Sequence, residues 1–359
     1  MTGRFNAVAE LTIPQSATLR EAVTAIDRNM KGIVFVVDDH RRLLDSLTDG
    51  DIRRALLAGA TLEDVVEALR FRPERKSRPR PITAGLETSR ADILALMRRH
   101  GVAQIPVVDE HGCLMGLYTL SDLTPDVEDS LEAVVMAGGF GQRLRPLTED
   151  TPKPMLPVGD RPLLEHIVRR LRTCGIKDVH VTTHYRPEVI RRHFGDGADF
   201  GVNMNYVNED EPLGTAGALR LLERPQRTML VMNGDILTSV DFRRMKAFHD
   251  ESNAKLTVAV RAYEHHVPYG VVESREGKIV NLREKPTFRH FVSAGIYMLD
   301  PAVFDVLDAD GRVDMPDLIH ALIAQGEVVA SFPITEYWLD IGHHEDYIQA
   351  QEDVLEGLV

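Results

Sequence analysis

Cysteine is scarce in this chain: only two of its 359 residues are cysteines, Cys113 and Cys174. They lie far apart and lack the spacing of a metal site, so both are expected to be free thiols in a reducing compartment. Long apolar runs are also missing. No stretch reaches the roughly 18 residues that a membrane span needs, and the N-terminus has no signal-peptide core. We therefore expect a cytoplasmic protein with no membrane contact.

Basic residues are fewer than acidic ones. The chain has 42 Lys and Arg residues and 55 Asp and Glu residues, and its net charge is −13. General nucleic-acid binding needs a basic surface, so nucleic acid is not an expected partner. The net charge does not exclude a local phosphate pocket, because a few clustered Lys and Arg side chains are enough to bind a phosphate. The hydrophobic share of 43% is ordinary for a globular protein, and the length suits two or three domains.

A glycine-rich segment follows the apolar run Ala133–Ala137, which predicts a buried strand. The glycines are Gly138, Gly139 and Gly141. Without a β-carbon, they can bring backbone N–H groups close to a ligand. Arg143 and Arg145 follow, and prolines on both sides restrict the backbone of Lys153. Fixed amides and cations suit a polyphosphate, although such a loop by itself is equally compatible with a tight turn.

Residues 134–157 closely resemble the signature of the sugar-1-phosphate nucleotidyltransferases, mannose-1-phosphate guanylyltransferases among them. The pattern Gly-Gly-x-Gly-x-Arg-Leu-x-Pro-Leu-Thr is followed here by Pro-Lys-Pro-Met-Leu-Pro. The resemblance implies that Ala137 and the three glycines contact the nucleotide. It also implies that Arg143 meets the leaving β,γ-phosphates and that Lys153 meets the α-phosphate and the incoming sugar phosphate.

Two aspartates follow apolar segments far apart in the sequence. Asp235 comes after the predicted strand Met229–Met232, and Asp340 lies in the string Tyr337–Gly342. Either one alone is most simply a turn residue. Together and in this order they resemble the family's pair of magnesium ligands, and Mg²⁺ prefers carboxylates combined with substrate phosphates. The resemblance thus implies Mg²⁺ as the cofactor and Asp235 as a catalytic residue.

The segment Leu213–Leu219 predicts a helix start, and in the family it lies under the nucleobase. Gly214 and Thr215 are then expected to contact the nucleotide, with Glu209 close by. Guanine offers two donors that one carboxylate can accept, so Glu209 or Glu211 favours GTP. Uracil and thymine suit glutamine better, so UTP and dTTP stay open.

Three later pieces resemble sugar-site segments of the family. Gly270 would bring backbone close to the sugar, and Glu284 and Lys285 would bind its hydroxyls and phosphate. Ser293 lies in a predicted strand, residues 291–297, beside the sugar. A surface ion pair is the alternative interpretation of Glu284 and Lys285.

An internal repeat precedes all of this, in residues 8–123. Each unit is predicted to run helix, strand, turn, strand, helix, and the first helices are expected at Leu19–Asn29 and Arg90–His100. The repeat is similar to a tandem pair of CBS domains. The family's Thr/Ser-x-x-Asp pattern occurs twice, as Thr48 with Asp51 and as Thr119 with Asp122.

In the CBS family such an aspartate can hold the ribose of an adenine nucleotide, so Thr48, Asp51, Thr119 and Asp122 are candidate ligands. The alternative is that each aspartate only caps the next helix. Asp45 stands where glycine is common before the second strand, which argues against a ligand in the first unit.

These patterns predict a regulatory CBS pair of α+β class in residues 1–125, with repeats at about 8–65 and 82–123. A charged linker is expected at 71–81 and a domain boundary at 124–130. Residues 131–359 alternate strands and helices, which predicts an α/β domain with a mostly parallel sheet. The resemblance implies a three-layer, Rossmann-like fold of the glycosyltransferase-A type.

The expected activity is transfer of a nucleoside monophosphate from an NTP, preferably GTP, to a sugar 1-phosphate for surface-glycan precursors. A uridylyl- or thymidylyltransferase, or a silent CBS-based nucleotide sensor, are the alternatives. A homo-oligomer through the CBS domains is expected. A fused acyltransferase is not, because no hexapeptide repeat follows the predicted helix Glu345–Leu355.

Overall fold

The computed structural model describes residues 8–69, 81–123, 131–307 and 311–359. The chain divides into two units, Met1–Asp129 and Ser130–Val359. Residues 71–80 of the expected linker and the whole expected boundary at 124–130 lie outside the described residues.

The N-terminal unit contains two three-stranded sheets with the same strand order. The first repeat consists of β1 (Thr12–Pro14), α1 (Leu19–Asn29), β2 (Ile33–Val37), β3 (Leu43–Thr48), α2 (Asp49–Leu57) and α3 (Val66–Leu69). The second consists of β4 (Ala84–Gly85), α4 (Arg90–His100), β5 (Gln104–Val108), β6 (Leu114–Thr119) and α5 (Leu120–Leu123). In both, the first strand runs parallel to the middle strand and the third runs antiparallel to it. The predicted bounds of α1 and α4 are confirmed.

The first helices and the middle strands of the two repeats are separated by the same number of residues. The starts of α1 and α4 differ by 71 residues (90 − 19), and the starts of β2 and β5 differ by the same number (104 − 33). Asp45 lies inside β3 opposite Val36, as Gly116 lies inside β6 opposite Val107. The sequence analysis placed Asp45 before the strand, whereas the ladder continues through it.

The C-terminal unit begins with β7 and ends with α11. Its strands are β7 (Glu132–Met136), β8 (Pro157–Val158), β9 (Arg161–Pro162), β10 (Asp178–Thr183), β11 (Asn203–Asn208), β12 (Met229–Asn233), β13 (Ile236–Thr238), β14 (Leu256–His266), β15 (Val271–Arg275), β16 (Lys278–Arg283), β17 (Thr287–Leu299), β18 (Val329–Pro333) and β19 (Trp338–Asp340). Its helices are α6 (Leu163–Thr173), α7 (Pro187–Phe194), α8 (Gly214–Gly217), α9 (Phe242–Glu251), α10 (Met315–Ala324) and α11 (His344–Leu355).

Seven strands form the central sheet in the order β11-β10-β7-β12-β17-β14-β18. The first four are parallel to one another, and β17 is antiparallel to both of its neighbours. Successive residues of β7 face opposite sides, as the period of two of a strand requires. Ala133 and Val135 pack with α6, α7 and α9, whereas Val134 packs with α10. This confirms the predicted three-layer α/β fold.

Two elements differ from their expected extent. The strand expected at Leu256–Val260 continues to His266, where it pairs with the first half of β17 and leaves the core. The helix expected from Leu213 is one α-turn, α8, followed by a 3₁₀ turn at Ala218–Leu221. Two N–H groups of this segment, those of Ala216 and Gly217, donate to the carbonyl of Val313, so a tertiary contact determines the local conformation.

Candidate active site

The glycine-rich loop and Asp235 meet at one edge of the sheet, because β7 and β12 are parallel neighbours that end side by side. The N–H of Gly234 donates to the carbonyl of Met136 at 2.8 Å, and a β-carbon on Gly234 would lie 2.8 Å from that oxygen. Glycine is therefore required where Asp235 turns away from its strand.

Asp235 and Lys153 form an ion pair at this edge. The ammonium of Lys153 donates to Oδ2 of Asp235, and the Lys153 side chain is only 11% exposed. The other oxygen, Oδ1 of Asp235, is buried without a hydrogen-bond partner, and among the described residues it is alone in this. A buried carboxylate oxygen without a donor requires an explanation, and a bound cation is a common one.

Asp340 lies beside Asp235, although 105 residues separate them (340 − 235). Strands β13 and β19 pair antiparallel with Ile236 opposite Asp340, and the N–H of Ile341 donates to the carbonyl of Asp235 at 3.0 Å. Desolvation and the charge of Asp235 both raise the pKa of the Asp340 carboxyl. Asp340 is exposed to solvent, so the neighbouring charge carries more weight here. Two carboxylates that repel each other fit a divalent cation with oxygen ligands.

Arg143 comes to the same place through a short 3₁₀ turn, Gln142–Leu144. A β-carbon on Gly342 would lie 3.7 Å from Nη1 of Arg143 and 3.7 Å from Oδ1 of Asp340. Gly141 has φ of 62°, and a β-carbon there would lie 2.9 Å from Thr148. The hydroxyl of Thr148 donates to the carbonyl of Gly141 at 2.7 Å, so this threonine closes the loop. Thr148 was missed as a structural residue, although it lies within the quoted signature.

Glu209, which is predicted to lie close to the nucleobase, is buried. Its Oε2 accepts from the N–H of Leu213 at 3.0 Å, and its carbonyl oxygen accepts from Nδ1 of His184 at 2.7 Å. A β-carbon on Gly138 would lie 2.8 Å from Oε1 of Glu209. The structure thus brings Glu209 to the glycine-rich loop, whereas Glu211 is exposed.

The remaining predicted nucleotide contacts differ in their surroundings. Ala137 is buried and its N–H donates to the carbonyl of Thr182, whereas Gly139 has open space where a β-carbon would lie. Gly214 has φ of 85° and packs on the carbonyl of Val313. The hydroxyl of Thr215 accepts from the N–H of Met315, so this side chain also anchors the start of α10.

The predicted sugar-site residues form a second group, on the extension of β14 and β17 with β15 and β16. A β-carbon on Gly270 would lie 3.0 Å from Oε2 of Glu284, so the structure brings these two together. Lys285 has φ of 45°, in the left-handed region and directly before a proline, a combination that costs energy. Ser293 lies where β17 re-enters the core, and its hydroxyl is 3.2 Å from that of Tyr297.

In the N-terminal unit, both Thr-x-x-Asp pairs form reciprocal hydrogen bonds at a helix start. The N–H and hydroxyl of Thr48 donate to Oδ2 of Asp51, and those of Thr119 donate to Oδ2 of Asp122. Asp51 is buried and also pairs with Arg54 at 3.0 Å. These contacts are the capping interaction that the sequence analysis gave as the alternative, and the ligand role stays a prediction.

Asp122 differs from Asp51 in its second partner. Its Oδ1 lies 3.6 Å from Nζ of Lys31, which belongs to the other repeat. Burial alone would raise the pKa of Asp122, but the bonds from Thr119 and the charge of Lys31 lower it below its ordinary value. The two repeats are thus alike in backbone and different at this aspartate.

The described residues contain no group of three or more His, Cys, Asp or Glu arranged to hold a metal ion. A pair of carboxylates that shares a cation with substrate phosphates does not form such a group. None of the helices within residues 8–69, 81–123, 131–307 and 311–359 is long and apolar enough to cross a membrane.

Known proteins resemble both units. Residues 132–357 match the family model described as nucleotidyl transferase, and residues 8–58 and 77–127 each match the CBS domain. A mannose-1-phosphate guanyltransferase of Yarrowia lipolytica is 34% identical over 227 residues, which are 61% of this chain and 62% of that protein. The chain thus spans about three fifths of the length of this relative.

Two further proteins match over nearly their whole length. A D-glycero-α-D-manno-heptose 1-phosphate guanylyltransferase of Aneurinibacillus thermoaerophilus is 32% identical over 228 residues, which are 62% of this chain and 98% of that protein. A solved structure of a putative glucose-1-phosphate thymidylyltransferase from Bacillus anthracis is 28% identical with a TM-score of 0.52, and it covers 62% of this chain and 94% of that one. The predicted resemblance is confirmed. Because the family model covers 226 of 359 residues (357 − 132 + 1), this chain belongs to the nucleotidyl transferase family.

Proposed function

We propose that this chain transfers a nucleoside monophosphate from an NTP, with GTP preferred, to a sugar 1-phosphate. The products are a nucleotide sugar and pyrophosphate. The observation that carries the proposal is the convergence of Lys153, Asp235 and Asp340 at the carboxyl ends of the strands, with one oxygen of Asp235 buried and unpartnered. The names of the curated relatives support the same reaction.

The charges of the substrates explain why these residues suit the reaction. An oxygen of the sugar phosphate attacks the α-phosphorus of the NTP, and the bond from that phosphorus to the β-phosphate oxygen breaks. The nucleophile is ionised near neutral pH, so the chain needs no general base. Positioning two polyanions and stabilising the charge between them are the main tasks. Arg143 is assigned to the leaving β,γ-phosphates and Lys153 to the α-phosphate and sugar phosphate.

Asp235 and Asp340 are assigned as the ligands of Mg²⁺. When bound, Mg²⁺ would neutralise part of the phosphate charge and polarise the α-phosphoryl group. The buried free oxygen of Asp235 and the raised pKa of Asp340 support this assignment.

The nucleotide is assigned as GTP, bound by Ala137, the glycines of the loop, Gly214, Thr215 and Glu209. Glu209 uses Oε2 for the N–H of Leu213 and presents Oε1 towards Gly138. A carboxylate there can accept from guanine N1–H and its amino group. The thymidylyltransferase named among the solved structures keeps UTP and dTTP as alternatives.

The sugar is assigned as mannose, heptose or an amino sugar, held by Gly270, Glu284, Lys285 and Ser293. The strained backbone of Lys285 and its closeness to the Gly270–Glu284 pair support a binding role, because strain persists where function needs it. Surface-glycan synthesis is the process that such a product would supply.

The CBS pair is assigned a regulatory role, with an adenine nucleotide at Thr48, Asp51, Thr119 and Asp122 and with a homo-oligomer formed through it. The matches to the CBS domain support this. A cytoplasmic location stays a prediction from the sequence. The rival function is a silent nucleotide sensor, against which the retained set Arg143, Lys153, Asp235 and Asp340 argues.

The test is a pyrophosphate-release assay with the full chain and Mg²⁺. It pairs GTP, UTP, dTTP, ATP and CTP with mannose, heptose, glucose and amino-sugar 1-phosphates. Release with GTP alone and one of these sugars would support the proposal and name the sugar. Release with UTP or dTTP instead would replace the nucleotide assignment. No release in any pair, with or without AMP or ATP, would favour the sensor.

A further inference from the structure

The last helix, α11, contacts the signature segment through one face. Three of its side chains, His344, Tyr347 and Gln351, form hydrogen bonds with backbone atoms of residues 145–159. Their spacings of three and four residues place them on the same side of a helix. None of the three belongs to the signature or to the acid pair, and the chain separates them from their partners by 190 to 199 residues.

These hydrogen bonds lie at the two ends of residues 145–159, the part of the chain that contains Lys153. Nε2 of His344 donates to the carbonyl of Arg145 at 2.9 Å. The hydroxyl of Tyr347 and Nε2 of Gln351 both donate to the carbonyl of Pro157 at 2.6 Å. Oε1 of Gln351 in turn accepts from the N–H of Gly159 at 2.8 Å, so this side chain uses both ends of its amide.

Apolar packing joins the same elements beneath these bonds. One buried cluster contains Leu144, Leu156, Val158, Leu163, Leu237, Ile341 and Ala350, and Tyr347 and Val354 pack against it. Leu144 follows Arg143 directly and Ile341 follows Asp340 directly. Leu237 is two residues after Asp235. The cluster therefore packs the residue next to Arg143 against residues that follow Asp235 and Asp340 closely.

We propose that α11 is a positioning element which, through Tyr347 and Gln351, fixes Arg143 and Lys153 relative to Asp235 and Asp340. The proposal rests on the proposed function. Phosphoryl transfer depends on such distances, because a shift of about 1 Å can cost about a hundredfold in rate. Neither residue is a catalytic residue, since both act through the backbone of the signature segment.

The experiment compares Tyr347→Phe, Gln351→Glu and the double variant with the full-length wild type. Tyr347→Phe removes one hydroxyl and keeps the ring in the cluster. Gln351→Glu keeps the acceptor for Gly159 but loses the donor to Pro157. Gln349→Ala is the matched control, because the amide of Gln349 donates to Asp353 of the same helix at 2.8 Å. Thermal unfolding of every variant is recorded beside the kinetics.

We expect kcat/KM for the NTP to fall about fivefold to tenfold in each single variant, as the loss of one hydrogen bond implies. The double variant should fall by less than the product, because both donors share one acceptor. The Mg²⁺ concentration for half-maximal rate should rise at the same time, and KM for the sugar phosphate should rise with it, because Lys153 is assigned to both phosphates. Gln349→Ala should behave as the wild type.

Two results would overturn the inference. One is unchanged kinetics and unchanged Mg²⁺ dependence in the double variant. The other is a loss of activity that only parallels a lower Tm and leaves the Mg²⁺ dependence unchanged, which a merely structural helix would give. If the wild type itself releases no pyrophosphate, the proposed function fails. Calorimetric binding of GTP with Mg²⁺ then decides this inference, because equal affinity or no binding in wild type and variants contradicts it.

Discussion

The carboxylate of Glu209 lies directly against the backbone of Gly138. A β-carbon on Gly138 would be 2.8 Å from Oε1 of Glu209, closer than such atoms approach in proteins. Oε2 of Glu209 is fixed by the N–H of Leu213. The acid assigned to the nucleobase and the loop assigned to the phosphates therefore depend on each other.

The first prediction uses this contact. Gly138→Ala should displace the Glu209 side chain or the loop, and kcat/KM for the nucleotide should fall by about a hundredfold. Gly85→Ala is the control, because Gly85 lies in the N-terminal unit and a β-carbon there would lie 3.8 Å from Oγ1 of Thr88, an ordinary contact. Steady-state kinetics of both variants would check this. Equal activity of the two would show that the contact has no part in nucleotide binding.

The second prediction concerns the choice of base. Glu209→Gln keeps an oxygen that can accept from the N–H of Leu213, so the fold should be preserved. The glutamine offers one donor and one acceptor, which suits uracil or thymine better than guanine. We expect the ratio of kcat/KM for GTP to that for UTP to fall by at least tenfold, about the value of one mispaired polar group. An unchanged ratio would remove Glu209 from the selection of the base.

The third prediction tests the acid pair. Asp235→Asn removes a charge and should reduce turnover by about a thousandfold or more. The partner Lys153 would then lose its ion pair, yet the volume of the side chain is unchanged and unfolding should occur at a similar temperature. Asp340→Asn should act in the same direction. Asp305→Asn is the control, because Asp305 is exposed and pairs with Arg224 at 2.6 Å rather than with Lys153. Full activity of Asp235→Asn would contradict the metal assignment.

Strand order explains how much of this site was predictable from the sequence. The loop after β7 and Asp235 after β12 each followed an apolar run, and parallel strands end at a common edge. Both segments were therefore predicted at strand ends, and the pairing of β7 with β12 brings them together. The side-by-side placement of Asp235 and Asp340 came only from family resemblance, because it depends on a pair of three-residue strands, β13 and β19. Such short strands carry no pattern of their own, and tertiary contacts determine them.

Helix α11 shows a second feature that could not be predicted from the sequence. A helix was predicted at Glu345–Leu355, but its contacts with Pro157 were not. Hydrogen bonds from a side chain to a distant carbonyl leave no periodic signal, since any polar residue on that face satisfies the sequence pattern. The same holds for Thr215, which was predicted as a nucleotide contact and is also bonded to the N–H of Met315.

The fourth prediction separates the sugar site from the nucleotide site. Gly270→Ala would place a β-carbon 3.0 Å from Oε2 of Glu284, tight enough to move that side chain. KM for the sugar 1-phosphate should rise by about tenfold, the value of one or two polar contacts, while KM for the NTP stays unchanged. Gly85→Ala is again a suitable control. An equal rise in both constants would argue against a sugar role for Gly270 and Glu284.

The last prediction concerns stability and pH in the catalytic unit. His249 is buried on α9, and its Nδ1 is 2.8 Å from the hydroxyl of buried Thr257. Burial lowers the pKa of His249 below its ordinary value of 6.5. Below pH 6.5, the unfolded chain therefore binds a proton at His249 that the folded chain does not bind. Stability due to this group is complete above that pH and is lost as the pH falls below it.

The free energy of unfolding should thus decrease on acidification below pH 6.5, with a slope of at most about 1.4 kcal/mol per pH unit for this one proton. The single tryptophan, Trp338, lies in this unit, so its fluorescence during urea unfolding reports on the unit alone. His249→Asn should be less stable at pH 7 and show a shallower dependence on pH. His290→Asn, which removes an exposed histidine, is the control. If His249→Asn kept the full slope, the acid sensitivity would have to arise elsewhere, and half-buried His166, whose pKa partial burial also lowers, would be the next group to replace.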